Sequence, residues 1–274
     1  ICCVKEYSIE EVMEEQYKMS VETRILFTDL DGTLLNDSKE VTKKTKDTLR
    51  AAREKNIKIV GVTARTLESA KNVVDTSLFD YLILNNGAFV VDENNKVIEK
   101  KVLEENDIFK ITDMLKDKAD QIDYCTETKY FIYKGNPNTS LSFIKSTDSY
   151  KEINEEICRI NVFINKEIID EELSNLQNKF KNLHTFIMQD SNDTKKWIVI
   201  NPANLNKANS LEKLGNKLDI ALDEMVFFGD GLNDLEAIER VGDGVAMGNA
   251  LQIIKDKAKH VTLSNNEDGI ASYI

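Results

Sequence analysis

The run Arg24-Ile-Leu-Phe-Thr-Asp-Leu-Asp-Gly-Thr-Leu-Leu35 constrains this chain more than any other stretch. Ile25 to Phe27 is apolar and leads into Asp29 and Asp31, then Gly32 and Thr33. The apolar part reads as a buried strand, and Asp-Gly-Thr as the turn that ends it. Strand side chains alternate between faces, so carboxylates two residues apart lean the same way wherever extended geometry persists. Two anions held that close repel unless a cation sits between them or one keeps a proton. Either arrangement describes a reactive site. The plainer alternative is a polar loop with Asp-Gly as ordinary turn chemistry. The rest of the chain decides between the two.

After Leu35, Val41 to Asn56 reads as a charged amphipathic helix with Leu49, Ala51 and Ala52 inward. Ile57 to Val62 is a β-branched run ending in Thr63-Ala-Arg65, followed by a helix over Leu67 to Asp75. Tyr81 to Leu84 is a third apolar run, ending in Asn85-Asn-Gly-Ala88. Strand, helix, strand, helix, strand with short connections predicts right-handed βαβ units and a parallel sheet. The pattern resumes late in the chain. Helices are expected over Lys207–Ala221, Leu235–Val241 and Leu251–Ala258, and strands over Met225–Phe228, Gly244–Met247 and His260–Leu263.

The middle block differs. Phe89 to Val102 reads as a hairpin around Asn94-Asn95, Leu103 to Ala119 as a helix, and Ile122 to Tyr133 as extended chain. Strands are expected over Arg159–Ile164, His184–Met188 and Trp197–Ile200, with a helix over Glu167–Phe180. Gly135 to Ser149, rich in Asn, Ser and Thr, is the expected loop. Antiparallel strands with helices on one face describe an α+β domain inserted into an α/β one. The expected division is a core over 21–87 and 198–274, an inserted domain over 88–197, and an extension over 1–20 of unassigned role. In that extension Ser8-Ile-Glu-Glu11 resembles a capping box, and Met19 directly precedes the first strand.

At 274 residues and 41% hydrophobic, the chain can bury one large core or two smaller ones. A net charge of −12 argues against nucleic-acid or anionic-membrane surfaces, which need a basic patch. A phosphorylated ligand must then be drawn in by local cations. No apolar run approaches the ~18 to 20 residues of a membrane span, and the N-terminal segment lacks a secretory apolar region. Cys2, Cys3, Cys125 and Cys158 have no metal-binding spacing and read as reduced thiols of a cytoplasmic protein.

Three of the expected core strands end in polar clusters: Asp29 and Asp31, Thr63, and Asp230 with Asn233 and Asp234. Open α/β sheets bind ligands outside the carboxyl ends of their strands, where strand order reverses. In the doubly wound order 3-2-1-4-5-6 the reversal falls between the first and fourth strands, the two that carry aspartates. Asp29, Asp31 and Asp230 are hard oxygen donors suited to Mg²⁺. Thr63, with the amides of Ala64 and Arg65, is placed at a helix start able to receive phosphate. Lys207 stands at another helix start; a solvated surface lysine is its plain alternative. For Asp234, capping the next helix weighs against a role behind the metal ligands.

Asp29-Leu-Asp-Gly-Thr33, Thr63 with Arg65, Lys207, and Gly229-Asp-Gly-Leu-Asn-Asp234 resemble the four ordered motifs of the haloacid dehalogenase-like phosphatase superfamily. The inserted block, Asn85-Asn-Gly-Ala88, and Gly242-Asp-Gly-Val-Ala-Met-Gly-Asn-Ala250 are similar to its Cof-like branch with a type-IIB cap. The resemblance runs from Arg24 to Ile274. It implies a Rossmann-like, doubly wound parallel-sheet core with an inserted α+β cap that closes over the site. It implies Asp29 as nucleophile and Asp31 as general acid, then base. Mg²⁺ would be held by Asp29, the Asp31 backbone carbonyl and Asp230, with Asp234 behind them. Leu30 N–H, Thr63, Ala64 N–H, Lys207 and Asn233 would bind the phosphoryl group. One departure is Ala64, where the family usually has glycine. Alanine is harmless there at negative φ and strained at positive φ.

The expected function is therefore Mg²⁺-dependent hydrolysis of a small phosphorylated metabolite, with a sugar phosphate as the expected substrate. A phosphomutase or phosphotransferase would need clustered cap cations to grip a second phosphate. Lys129, Lys134, Lys145 and Arg159 are available but unclustered in sequence. A non-catalytic phosphate sensor would lack a motif residue, and none is lacking. Transport ATPases of the superfamily lack the carboxylate at the position of Asp31. Specificity is expected in Gly135–Ser149 and Gln189–Lys195, and Trp197 is expected in the core rather than as a sugar platform.

Overall fold

The computed structural model describes residues 23–135, 137, 139–189 and 195–274. The extension at 1–20, with Cys2 and Cys3, lies outside the described residues, as does most of the expected Gln189–Lys195 loop. From β1 (Ile25–Asp29) the chain runs through α1 (Lys43–Glu54), β2 (Lys58–Val62), α2 (Leu67–Lys71) and β3 (Tyr81–Leu84). The hairpin β4 (Phe89–Asp92) and β5 (Val97–Lys100) precedes α3 (Glu105–Leu115). Then come β6 (Ala119–Cys125), β7 (Tyr130–Tyr133), β8 (Ile144–Ser146), β9 (Arg159–Ile164), α4 (Ile169–Lys179), β10 (Leu183–Gln189) and β11 (Lys196–Pro202). The last segment is α5 (Lys207–Leu218), β12 (Met225–Gly229), α6 (Leu235–Arg240), β13 (Asp243–Ala246), α7 (Gln252–Lys255), β14 (His260–Val261) and α8 (Gly269–Tyr273). No helix among the described residues is long and apolar enough to cross a membrane.

The described chain divides into two compact units. One holds the residues up to Val62 with Val74–Leu82 and Leu211–Ile274; the other holds Thr63–Val73 and Ile83–Ser210. In the first, the strands lie in the order β14-β13-β12-β1-β2-β3, and β1 pairs in parallel with both β2 and β12. This is the doubly wound order expected from the strand–helix alternation, with its reversal between β1 and β12. Ile25, Leu26, Phe27, Val226, Phe227 and Phe228 are all fully buried, as central parallel strands covered on both faces require. Helix α1 begins later than Val41 because the Thr42 hydroxyl caps it, accepting from Thr45 N at 3.1 Å. Leu49 and Ala52, three apart, face inward; Ala51 is exposed, since one residue is 100° of helix rotation.

The second unit carries a six-stranded sheet in the order β10-β11-β9-β6-β7-β8, antiparallel except for the β7–β8 pair. Ile108, Ile111 and Leu115 of α3 and Ile169 and Leu176 of α4 share one core cluster with Ile122, Tyr124, Ile160, Val162, Ile198 and Ile200. Because strand residues alternate, Asp123, Cys125, Arg159, Asn161 and Val199 point to the opposite face. Several expectations change here. The single extended segment Ile122–Tyr133 is two strands, turned where Thr126 N donates to Lys129 O at 2.9 Å. Ala119 opens β6 instead of closing a helix, and β8 lies inside the stretch expected to be loop. Trp197 is half-buried outside the core cluster and stacks on Phe163, with centroids 5.6 Å apart. It sits one residue out of phase with Ile198 and Ile200, which take the core face.

Candidate active site

In the first unit, the carboxyl ends of β1 and β12 bring carboxylates together. Asp29, Asp230 and Asp234 each present a carboxylate oxygen, all within 4.8 Å of one another. Asp29 is the last residue of β1, and Asp230 follows the last residue of β12. Asp234, expected behind the ligands, belongs to the same group and is 1% exposed. Its side chain does not cap the next helix; its Oδ2 accepts instead from the preceding turn, from Asp230 N at 3.1 Å and Gly231 N at 3.0 Å. The capping expectation is thus overturned: the carboxylate fastens the turn before it while standing in the cluster. Asn233 lies in the same short 3₁₀ turn, Leu232–Asp234.

Gly32 makes this approach possible. Its φ is +81°, and a Cβ there would stand 2.4 Å from Asp230 Oδ2. Thr33 Oγ1 donates to Asp230 Oδ1 at 2.9 Å, aiming that carboxylate. Leu34 N and Leu35 N donate to Asp29 O and Leu30 O, closing the turn after the strand. Asn249 Nδ2 donates to Gly32 O at 2.7 Å and braces the turn from outside. The roles of Thr33 and Asn249 were not read from the sequence, although both stand inside the motifs named above. The Asp31 side chain is not in the carboxylate group; it is 38% exposed and pairs with Lys39 Nζ at 3.0 Å. Lys39 carried no signal of its own, because nothing in the sequence folds the turn back by eight residues.

In the second unit, Thr63 is 1% exposed and its Oγ1 accepts from Arg65 N at 3.1 Å. The helix expected over Leu67 to Asp75 does start at Leu67, with Thr66 as its N-cap accepting from Ser69 N, but it ends at Lys71, and Thr63 stands before the cap and not at the helix start. Thr63 to Arg65 is thus a loop stitched by its own hydroxyl. Ala64 is absent from the residues with positive φ, so alanine in place of the family's glycine is unstrained. Asn85, Asn86 and Gly87 are successively left-handed, and Asn86 N donates to Thr63 O. A Cβ on Gly87 would meet Ser210 Oγ at 2.1 Å, so only glycine fits there. Lys207 is the first residue of α5 and 1% exposed, which removes the surface-lysine alternative. A buried ammonium at a helix start runs against the dipole, so an anion nearby is what makes it tenable.

Three buried or half-buried carboxylates with an aligned hydroxyl form a hard, anionic donor set that fits a divalent cation such as Mg²⁺.

The profile of the haloacid dehalogenase-like hydrolase family matches residues 26–274. YcsE of Bacillus subtilis, a 5-amino-6-(5-phospho-D-ribitylamino)uracil phosphatase, is 29% identical over 255 residues, covering 93% of this chain and 95% of that protein. TM0651 of Thermotoga maritima shares the fold with a TM-score of 0.78 at 24% identity, covering 91% of this chain and 96% of its own. The subclass IIB sugar phosphatase BT4131 shares it with a TM-score of 0.73, also at 24% identity and with the same coverage. The aspartates at the strand-order reversal and the profile match agree, and the chain belongs to the haloacid dehalogenase-like hydrolases, in their Cof-like phosphatase branch.

Proposed function

We propose that this protein is a Mg²⁺-dependent phosphomonoesterase that hydrolyses a small phosphorylated metabolite through an aspartyl-phosphate. The observation that carries the reading is the carboxylate group of Asp29, Asp230 and Asp234 at the order reversal of the sheet. Asp29, Asp230 and the Asp31 carbonyl would hold the cation, with Asp234 beside them. When bound, the cation offsets the charge of the carboxylates and the phosphoryl oxygens.

Asp29 attacks phosphorus, and the bond from phosphorus to the leaving oxygen breaks as the new one forms. Asp31 donates its proton to the leaving alcohol. Water then attacks the same phosphorus, Asp31 takes its proton, and Asp29 is released with inorganic phosphate. Leu30 N–H, Thr63, Ala64 N–H, Lys207 and Asn233 are assigned to the phosphoryl oxygens on the strength of their motifs. We assign the chemistry to 21–87 with 198–274 and substrate choice to the inserted block at 88–197.

A sugar or sugar-alcohol phosphate is the favoured substrate class, and the phosphoribityl ester in the name of YcsE's substrate is of that class. The phosphomutase reading loses support in the second unit. Lys134 Nζ is tied to the carbonyls of Lys116 and Ala119, Lys129 stands 3.9 Å from Glu155, and Lys145 is exposed. Cys125 and Cys158 are free and buried thiols, in keeping with a reducing, cytoplasmic setting.

The test is phosphate release from sugar phosphates, phosphoribityl esters, nucleotides and p-nitrophenyl phosphate, with Mg²⁺ and after EDTA. Release that chelation stops and Mg²⁺ restores is expected. Turnover indifferent to EDTA would remove the metal from the mechanism, and silence across the panel would favour the sensor.

A further inference from the structure

The turn that follows β1 is held at both ends by side chains from late in the chain. Its first carbonyl, Gly32 O, accepts from Asn249 Nδ2 at 2.7 Å. Its last, Leu35 O, accepts from Asn265 Nδ2 at 3.0 Å. Between these two points Thr33 Oγ1 donates to Asp230 Oδ1 at 2.9 Å. The two asparagines are themselves joined, because Asn265 N donates to Asn249 Oδ1 at 3.0 Å.

That last bond decides which way the Asn249 amide faces. A carboxamide has an accepting end and a donating end, and a partner for one end fixes the other. With Oδ1 held by the Asn265 N–H, Nδ2 is left to face Gly32 O. Turned over, the Asn249 amide would set oxygen against oxygen, and the turn would lose its outer hold.

Asn265 is itself anchored. It is 6% exposed and opens the 3₁₀ turn Asn265–Glu267. Its Nδ2 also reaches Asp37 Oδ1 at 3.2 Å. Asn266 grips the same residue, its Nδ2 donating to Asp37 Oδ2 at 2.9 Å and its Oδ1 accepting from Asp37 N at 3.1 Å. Hydrogen bonds from Asn266, then from Asn265, lower the Asp37 carboxyl below its ordinary value, so it remains an anion and a constant acceptor. One turn further on, Asp268 Oδ1 accepts from the hydroxyls of Thr42 and Thr45 at the start of α1. The segment Asn265–Asp268 therefore clasps the chain from Leu35 to Thr45. A clasp of this kind could serve stability alone. Here, however, the stretch it fixes bears the hydroxyl that aims Asp230 and adjoins the Asp31 carbonyl.

We propose that Asn265 is a positioning residue for the carboxylate site. By holding the Leu35 carbonyl and setting the Asn249 amide, it fixes both ends of the Gly32 turn and, through Thr33, the direction of Asp230. The inference rests on the phosphatase reading above. Partners one shell behind a metal's donors set its affinity by orienting those donors.

The experiment uses Asn265→Ala and Asn249→Ala, singly and together. On p-nitrophenyl phosphate with Mg²⁺, each single variant should lose about tenfold or more in kcat, with KM within about threefold of the wild type. Calorimetric titration with Mg²⁺ alone should show a dissociation constant raised about tenfold in each. Both act on one turn, so the double variant should lose far less than the product of the single losses. Asp37→Ala loosens Asn265 from the exposed side and should follow it with a smaller loss of about threefold; it takes the place of Asn265→Ala if that chain does not fold. Tyr273→Phe controls for general loosening. It removes the hydrogen bond from Tyr273 Oη to Asp243 Oδ2, at the amino end of β13 and away from the turn. It should lower Tm while kcat and the Mg²⁺ dissociation constant stay within about twofold of the wild type.

Wild-type kcat and Mg²⁺ affinity in Asn265→Ala, or in Asp37→Ala where it takes that place, overturn the proposal while leaving the phosphatase reading intact. So do losses that multiply in the double variant, or an equal loss in Tyr273→Phe. If the wild type binds Mg²⁺ but releases no phosphate, the phosphatase reading fails and the titrations decide. Weakened, coupled binding then supports the positioning role, and unchanged binding overturns it. A wild type that neither binds Mg²⁺ nor releases phosphate overturns both.

Discussion

The carboxyl ends of β1 and β12 and the uncovered face of the six-stranded sheet are both polar, but their polar groups are satisfied differently. At the strand ends each group is tied to another part of the same site. Thr33 holds Asp230, Asp234 holds the Asp230 and Gly231 amides, and Asn249 holds the Gly32 carbonyl. On the sheet face the Arg159 guanidinium and the Asn161 carboxamide share the Cys125 thiol sulfur. A site that performs one fixed reaction gains from groups already in place, because reorganisation then adds nothing to the barrier. The contrast separates a fastened carboxylate site from a loosely paired buried face, and three substitutions press on it.

The largest effect is expected at the strand ends. Asp29→Asn removes the nucleophile and should lower turnover by about 10³-fold or more, while far-UV dichroism and Tm stay near those of the wild type. Turnover within tenfold of the wild type would take the nucleophile away from Asp29 and with it the contrast itself.

Gly32→Ala should come next. The new Cβ meets Asp230 Oδ2 at a position of φ +81°, so strain and a displaced carboxylate combine. A loss of about 2 kcal/mol in unfolding free energy is expected, with a raised Mg²⁺ requirement in a titration of activity. An unchanged Mg²⁺ requirement would mean that the close approach of the Gly32 turn does not position Asp230.

The smallest effect belongs to Asp123→Asn on the sheet face. The carboxyl of Asp123 is raised from an ordinary 3.8 to about 6, chiefly by burial. Between those values the folded protein binds more protons than the unfolded chain, so stability falls as pH rises through that window. The deficit persists above it. Asparagine has no charge to desolvate, so the variant should be more stable than the wild type above about pH 7, by about 1–3 kcal/mol. It should match the wild type near pH 4. Denaturant unfolding at the two pH values checks this, and a stability difference independent of pH would show that Asp123 is not held out of water.

Much of the first unit was legible because its information is local. Apolar runs of four or five residues between short helices leave few topologies, and right-handed crossovers reduce these to the observed strand order. The motif Gly229-Asp-Gly-Leu-Asn-Asp234 encodes its own turn, with Asp234 four residues beyond the amide it fastens. The second unit was read less well. Thr126-Glu-Thr-Lys129 contains none of the glycine, proline or asparagine that usually announces a turn, so β6 and β7 merged into one segment. In Lys196-Trp-Ile-Val-Ile-Asn201 an apolar run hides the phase of alternation, and Trp197 was assigned to the wrong face. The helix starts at Leu67, as its pattern predicts, but Thr63 was set at that start because Thr63 and Thr66 are both competent caps. Thr63 spends its hydroxyl on Arg65 N, and Thr66 caps the helix.

By itself, then, the sequence determined what is made within a few residues: the core strands, their order, the aspartates at their ends, and the turn that Gly32 allows. Tertiary structure decided what depends on partners far along the chain. It brought Asp234 into the carboxylate group, set Lys39 against Asp31, buried Lys207, and placed Arg159 beside Cys125 and Ala64. The physical reason is that backbone propensity and alternation act over one turn or one strand. Burial and electrostatic pairing are set by whichever residues the fold makes neighbours, and no local pattern records them.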